Sequence, residues 1–177
     1  MRIGCLAVHY GKEYLAWAVR GLADACNEVH VFYSRKPSFG FTEGLTCPDT
    51  EDELVAEAGR FGVKVKWHRV SARNEGQHRN LMIAEAKRRG ATTMAIADAD
   101  EVWDGCALDV ALRAVHDANS AGRWLANFCH FWRSWDWTVV DWFRPVRIVD
   151  LRHPLDRDAH LDDHMQPSPI FHFGYAQ

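Results

Sequence analysis

The chain of 177 residues holds one stretch whose residue types and spacing could do chemistry. It begins Asn74-Glu-Gly-Gln-His-Arg-Asn80 and ends, after an intervening helical and apolar run, in Asp98-Ala-Asp100-Glu101. Carboxylate oxygens are hard ligands, and with few sulfur ligands nearby this pair suits Mg²⁺ or Mn²⁺ better than zinc. A regular strand would point Asp98 and Asp100 to opposite faces, so both reach one cation only if the chain turns at the strand's end. Arg79 falls in the first turn of the expected helix, where backbone N–H groups and a guanidinium together favour an anion. The plainer alternatives are a DxD that only closes a strand and an arginine that is a solvated helical charge. His160 and His164 are four apart, a spacing that on a helix would serve zinc. No HExxH glutamate accompanies them, and Pro167 and Pro169 follow closely. The basic residues from Arg60 to Arg89, among them Lys64, Lys66, Arg69 and Arg73, could touch a nucleic acid. Alternation on an exposed strand and a basic helix C-terminus explain most of them.

The elements that must position these groups are read from hydrophobic periodicity. Ile3 to Val8 is a strand-length apolar run, followed by Leu15, Ala18, Val19, Leu22 and Cys26 at helical spacing. Glu28 to Tyr33 reads as a second strand, Thr50 and Glu53 as a capping box, and Leu54, Ala58 and Phe61 as a short helical stripe ending near Gly62. Val63 to His68 alternates as a third strand. Residues 76–89 form a helix with Leu81, Met82 and Ala86 inward and Gly90 as its stop. Thr92 to Ala97 is apolar throughout, as a buried parallel strand should be. A helix over 105–119, capped by Asp104, buries Leu108, Ala111, Leu112 and Val115. Beyond Gly122 the texture changes: 123–132 and 138–149 read as strands, and a polar His-, Asp- and Pro-rich tail begins near Asp150.

Length and composition bound the remaining choices. The chain predicts a single domain over 1–177. Hydrophobic residues make up 47% and charged residues 25%, which excludes wholesale disorder and collagen. A formal net charge of −3 argues against a dedicated phosphate-backbone binder. The five cysteines contain no CxxC pair, so reduced and mostly buried thiols are expected rather than a disulfide framework. The only N-terminal apolar run is too short for a signal peptide or membrane span, and the expectation is a soluble, cytoplasmic protein without an integral membrane segment. Five of the eight tryptophans, Trp124, Trp132, Trp135, Trp137 and Trp142, crowd one stretch. Indole faces pack on sugars as well as in cores, so some of the last four are expected to line the cleft that holds Asp100.

Taken as a unit, residues 74–103 resemble a GT-A-fold glycosyltransferase, most closely the family-two type that uses nucleotide-diphosphate sugars. The likeness is carried by Asn74-x-Gly76-x-x-Arg79-Asn80, the small-residue stop at Gly90 and the apolar strand ending in Asp98-Ala-Asp100-Glu101. His9-Tyr10 and Glu13-Tyr14-Leu15 after the first strand support it. The resemblance implies a Rossmann-like α/β sandwich: a mostly parallel central sheet flanked by helices, with a nucleotide-sugar half over 1–103 and a β- and loop-rich acceptor half over 104–177. It implies a metal-dependent transfer of a sugar from a nucleotide-diphosphate donor to an acceptor that is a carbohydrate, lipid, protein or nucleic acid. Asp100, with Asp98 through metal or ribose contact and His172 as a late ligand, would hold Mn²⁺ or Mg²⁺. His9, Tyr10 and Gly11 would approach the nucleobase, and Gly76 and Arg79 the base or phosphates. The second strand ends in Tyr33-Ser34-Arg35 where the family commonly has an acidic residue, so Tyr33 would read the base by stacking. An inverting reaction needs a base, for which Asp163 and then Asp162 are the candidates, ahead of Asp136, Asp141, Asp156 and Asp158; Glu101 would help bind the acceptor. The alternatives are a nucleotidyltransferase on a related fold, for which Gly11-Lys12 is too small a phosphate loop, and a non-catalytic carbohydrate- or nucleic-acid-binding domain.

Overall fold

The alternating periodicities of the first hundred residues become strand and helix in turn. The computed structural model describes residues 1–9, 11–36, 47–118, 122–132, 134, 136–139, 143–152, 162–165 and 170–175, with the backbone alone considered at 122, 123, 132, 162–165, 174 and 175. Strands β1 (Arg2–Val8), β2 (Glu28–Tyr33), β3 (Val65–Arg69) and β4 (Thr93–Asp98) are joined by helices α1 (Leu15–Ala23), α2 (Glu51–Ala58) and α3 (Glu75–Arg88). There follow β5 (Glu101–Val102), α4 (Gly105–Ala118), β6 (Gly122–Leu125), β7 (Phe128–Trp132), β8 (Thr138–Val139), β9 (Val146–Asp150), β10 (Asp162–Met165) and β11 (Ile170–Tyr175).

The strands form a seven-stranded sheet in the order β10-β6-β9-β4-β1-β2-β3 and a four-stranded sheet in the order β5-β11-β7-β8. Strands β1 to β4 pair in parallel, because each is reached through a crossover helix, whereas β9 runs antiparallel to β4 and β6. The period of two along each strand divides the core. Ile3, Cys5, Ala7, Phe32, Met94 and Ile96 pack with Met82 and Ala86 of α3 on one face. Leu6, Val8, Val29, Val31, Ala95 and Ala97 pack with α1, α2 and α4 on the other. The molecule is thus an α/β sandwich with a mostly parallel central sheet, as expected.

Local chemistry sets the helix ends. Thr50 and Glu53 make the capping box, Asn74 accepts from Gln77 N at 2.9 Å, and Asp104 accepts from Ala107 N at 2.8 Å. Gly90 ends the turn after α3 with a φ of 74°. Gly21 is required by space: a Cβ there would collide with the Trp103 carbonyl oxygen, so α1 lies directly against the chain leaving β5.

Several expectations need correction. Strand β3 starts at Val65 rather than Val63. On α3, Leu81 is exposed and His78 is buried among Met82 and Ala86. The strand expected over 123–132 breaks at Ala126 and Asn127, where the chain leaves the large sheet at β6 and enters the small one at β7. The strand expected over 138–149 is divided between β8 in the small sheet and β9 in the large one, and Pro145, which has no N–H for a ladder, stands just before β9. His164 lies on β10, so the helical spacing with His160, itself outside the described residues, does not exist. Of the five free cysteines only Cys5 is fully buried, and Cys106 is exposed. Among the described residues no helix is long and apolar enough to cross a membrane.

Candidate functional site

The chain builds β1, β2 and β3 outward in one direction and then returns to place β4 on the far side of β1. This reversal makes a topological switch point between β1 and β4, and ligands of open α/β sheets bind in the crevice at the carboxyl ends of such strands. His9 follows β1, Asp98 ends β4, and Arg79 reaches the same place from α3.

Two arginines dominate this crevice. Arg79 Nη2 donates to both oxygens of Asp98 at 2.7 Å, and Arg147 Nη2 donates to Asp98 Oδ2 at 3.0 Å. Arg147, on β9, also donates to both oxygens of Glu101, and Glu101 accepts from the backbone N–H of Asp98. Its guanidinium sits 5.4 Å from the ring centre of Phe128. Arg147 and Glu101 are 6% and 1% exposed, so this pair is sealed beneath the site. Burial would raise the Asp98 carboxyl, but Arg79 and Arg147 outweigh it and hold Asp98 well below the usual carboxylate range. Asp98 and Glu101 thus take up the two guanidiniums, the partly exposed Glu75 adds a contact to Arg79 Nη2 at 3.2 Å, and the carboxylate of Asp100 is in excess of the positive charge.

Asp100 carries that excess. It makes no ion pair with either arginine: its Oδ2 lies 3.5 Å from His172 Nε2. Burial and the neighbouring Asp98 push its carboxyl up to about 6, although 39% of the side chain stays exposed to a ligand. His172 is on β11, which pairs with β5 and β7 in the interior of the small sheet, and the Phe173 N–H donates to the Asp100 carbonyl oxygen at 2.9 Å. His172 Nδ1 lies 2.8 Å from His130 Nδ1, and the ring stacks on Phe128 at 5.2 Å. These contacts turn Nε2 toward Asp100. Two ligand atoms on one cation lie about 3.0–3.4 Å apart, given bond lengths near 2.1 Å. The Asp100 and His172 pair, at 3.5 Å, lies just beyond that spacing and closes on an ion with a small shift, whereas Asp98 is committed to the arginines.

Along the same sheet edge, two strands or about 10 Å from β4, a cleft of about 520 Å³ opens at the ends of β2 and β3. Tyr33, Arg35, Asp49, Glu51 and Arg69 line it. Glu51 is occupied by Trp67 Nε1 and Arg69 Nε at 2.7 and 2.6 Å. Asp49 Oδ2 is buried with no hydrogen-bond partner among the described residues, and so is Arg79 Nη1.

The structure thus brings His9, Arg79, Asp98, Asp100 and His172 to one crevice, and Tyr33 to the adjoining cleft. Gly11 follows β1 with a φ of 86°, a conformation that favours glycine, and Gly76 is exposed in the first turn of α3. Tyr10 lies outside the described residues. Asp162 and Asp163 are not brought to the site. Asp163 pairs with Arg123, Arg123 with Val149 and Val149 with Met94. Asp163 is therefore about 13 Å short of Asp98 along the strands and about 14 Å across them. Glu101 is buried against Arg147 and so does not face an acceptor. Of the tryptophans, Trp124 is core and Trp137 is 69% exposed, the Trp132 side chain is undescribed, and Trp135 and Trp142, like Asp141, Asp156 and Asp158, lie outside the described residues. Sequence reasoning missed Arg147, whose signal was a lone charge inside the apolar run Val146 to Val149, and His130, which had none.

His78, beneath the crevice, gives the fold a pH dependence. It is 1% exposed and meets His9 edge-to-face at 4.9 Å. Burial, then His9 and Arg79, lower its pKa to about 4. Between the unfolded value and pH 4 the unfolded chain binds the extra proton, so stability falls as pH falls through that window, by on the order of 3 kcal/mol. Urea midpoints from pH 7 to pH 4 should drop less in His78→Gln than in the native chain; parallel curves would remove His78 as the cause.

Neither protein-family models nor curated protein sequences give a match. Solved structures do. A structure of S. aureus TarS 1–349 aligns at a TM-score of 0.58 and 14% identity, covering 98% of this chain and 60% of that one. A structure of S. aureus TarS aligns at a TM-score of 0.56 and 15% identity, covering 85% of this chain and 28% of that one. This chain thus spans less than two thirds of the length of either, and at such identities the likeness is one of fold. With its switch-point crevice between β1 and β4, this chain shares the GT-A-like fold of the TarS structures.

Proposed function

We propose that this chain is a divalent-metal-dependent glycosyltransferase domain that moves a sugar from a nucleotide-diphosphate donor to an acceptor. The observation that carries the reading is the carboxylate of Asp100, paired with neither arginine, set against His172 at the switch point and beside the half-buried Arg79 with its unused N–H. Asp100 and His172 would hold Mn²⁺ or Mg²⁺. A bound cation supplies charge stabilisation to the departing diphosphate without a proton transfer.

The chain's own residues divide the remaining work. Asp98, itself held by Arg147, fixes the Arg79 guanidinium, whose Nη1 is free to donate to a phosphate oxygen. The cleft at the ends of β2 and β3 takes the nucleobase, with Tyr33 on its wall and Asp49 Oδ2 as an acceptor for a base N–H. His9 and Gly11 lie between base and phosphates. Residues 1–103 form the nucleotide-sugar half, and 104–177 contribute His172 and the acceptor side.

Calorimetry with a panel of nucleoside diphosphates, with and without Mn²⁺, tests this. Binding of one nucleoside diphosphate that strengthens at least tenfold with Mn²⁺ is the expected result. Indifference to nucleotide and metal alike would overturn the reading, and metal-dependent binding without donor hydrolysis would reduce it to a binding domain.

A further inference from the structure

Away from the sheet edge, three side chains with no part in the proposed transfer meet beneath α3. His30 on β2 is fully buried. Its Nδ1 lies 3.0 Å from Nε2 of His68 on β3 and 3.9 Å from Oε1 of Glu85 on α3. All three atoms fall within 4.8 Å of one another. The two imidazoles are inclined by 11° with centroids 5.1 Å apart, so the facing nitrogens meet nearly in the ring plane, along the direction of a lone pair.

We propose that His30, His68 and Glu85 form a second metal site, separate from Asp100, that takes a borderline transition-metal cation of the zinc class. Two imidazoles and one carboxylate are a donor set that such cations prefer over Mg²⁺, and three protein ligands leave a fourth position for water. Tetrahedral ligands at zinc bond lengths lie about 3.3 Å apart, so the atoms need move only by fractions of an ångström to about one ångström to close on an ion.

The surroundings prepare the ligands. Glu28 Oε2 lies 3.0 Å from His30 Nε2, and Glu28 is anchored in turn by Lys66 Nζ at 2.7 Å and Arg89 Nη2 at 2.6 Å. A carboxylate behind a histidine keeps the proton on the far nitrogen, here Nε2, and leaves the Nδ1 lone pair for a metal. His68 then donates its Nε2–H to that lone pair when no ion is present. On binding, the proton of His68 leaves Nε2 and Nδ1 takes one up from solvent, so the ring changes tautomer with no net proton released. Burial lowers the pKa of both histidines, which keeps them neutral and able to ligate. The competitor is Arg88, whose Nη2 holds Glu85 Oε1 at 2.7 Å. The contact is bidentate, with Arg88 Nε on Glu85 Oε2 at 2.7 Å, and Arg88 is 67% exposed, so its Nη2 can turn into water and release Oε1 to an ion while Nε keeps Oε2.

An ion there would tie β2, β3 and α3 together and raise stability by mass action. The test is calorimetric titration of the full chain with Zn²⁺, together with thermal melting and Co²⁺ absorption. The expected result is one Zn²⁺ bound at micromolar concentration or below, a higher melting temperature with Zn²⁺, and tetrahedral Co²⁺ bands without thiolate charge transfer. His68→Gln and Glu85→Gln should each weaken that binding at least tenfold while keeping the native circular dichroism spectrum, and His172→Ala should retain it. Native-like Zn²⁺ affinity in both variants, loss in His172→Ala alone, thiolate bands, or no Zn²⁺ bound would each overturn the site and leave the histidine pair as a hydrogen-bonded link in the core.

Discussion

Replacing Arg147 with methionine should destabilise the fold by about 3–5 kcal/mol, because it leaves buried carboxylates without their counter-charge. Glu101 is 1% exposed and receives two hydrogen bonds from this guanidinium, and Asp98 receives a third. Methionine fills similar space, so little of the loss would come from a cavity. The penalty belongs instead to an ionised Glu101, or to the work of protonating it. Adding Glu101→Leu removes that charge and should recover part of the loss, whereas Glu101→Leu alone leaves Arg147 with Asp98 only and should be destabilising. Urea unfolding of the two single variants and the double variant reads all three quantities. A midpoint in Arg147→Met equal to that of the native chain would show that the pair does not hold the crevice together.

Replacing Asp100 with alanine should have the opposite signature. Sugar transfer should fall at least a hundredfold, in the range seen when a group that stabilises developing charge is removed, and Mn²⁺ should no longer strengthen nucleoside diphosphate binding. Stability at pH 7 should be unchanged or slightly higher. The excess negative charge of the crevice resides on Asp100, and burial beside Asp98 raises its carboxyl pKa to about 6. The folded state therefore holds that proton more tightly than the unfolded chain, and ionising Asp100 as pH rises from the unfolded value to 6 weakens the fold. A side chain that is unfavourable to the fold in its ionised form, yet required for binding, is the mark of a site residue. Loss of activity with a parallel loss of stability would instead make Asp100 a structural group.

How much of this was legible beforehand follows from the range of each interaction. Helices and strands up to Asp98 were readable because their signals are local: Thr50 with Glu53, Asn74 before α3, Gly90 after it, and apolar runs of strand length. Arg79, Asp98 and Asp100 were also readable, since one helix and one strand separate them. The second half was less so. Its strands change sheets within two residues at Ala126 and Asn127, a decision made by partners distant in sequence, with Asn127 accepting from Ile170 N.

Periodicity, capping and the spacing of Asn74 to Glu101 determined by themselves a parallel α/β core with an acidic strand end. Tertiary structure alone decided what each acid does. It gave Asp98 to two arginines, one of them 49 residues away in sequence, and set His172 against Asp100. It also moved Asp163 to the wrong end of its strand and brought His30, His68 and Glu85 together. The reason is physical: whether a carboxylate is a ligand, a counter-ion or a buried acid depends on the charges within a few ångströms of it, and strand order, not local sequence, sets those neighbours.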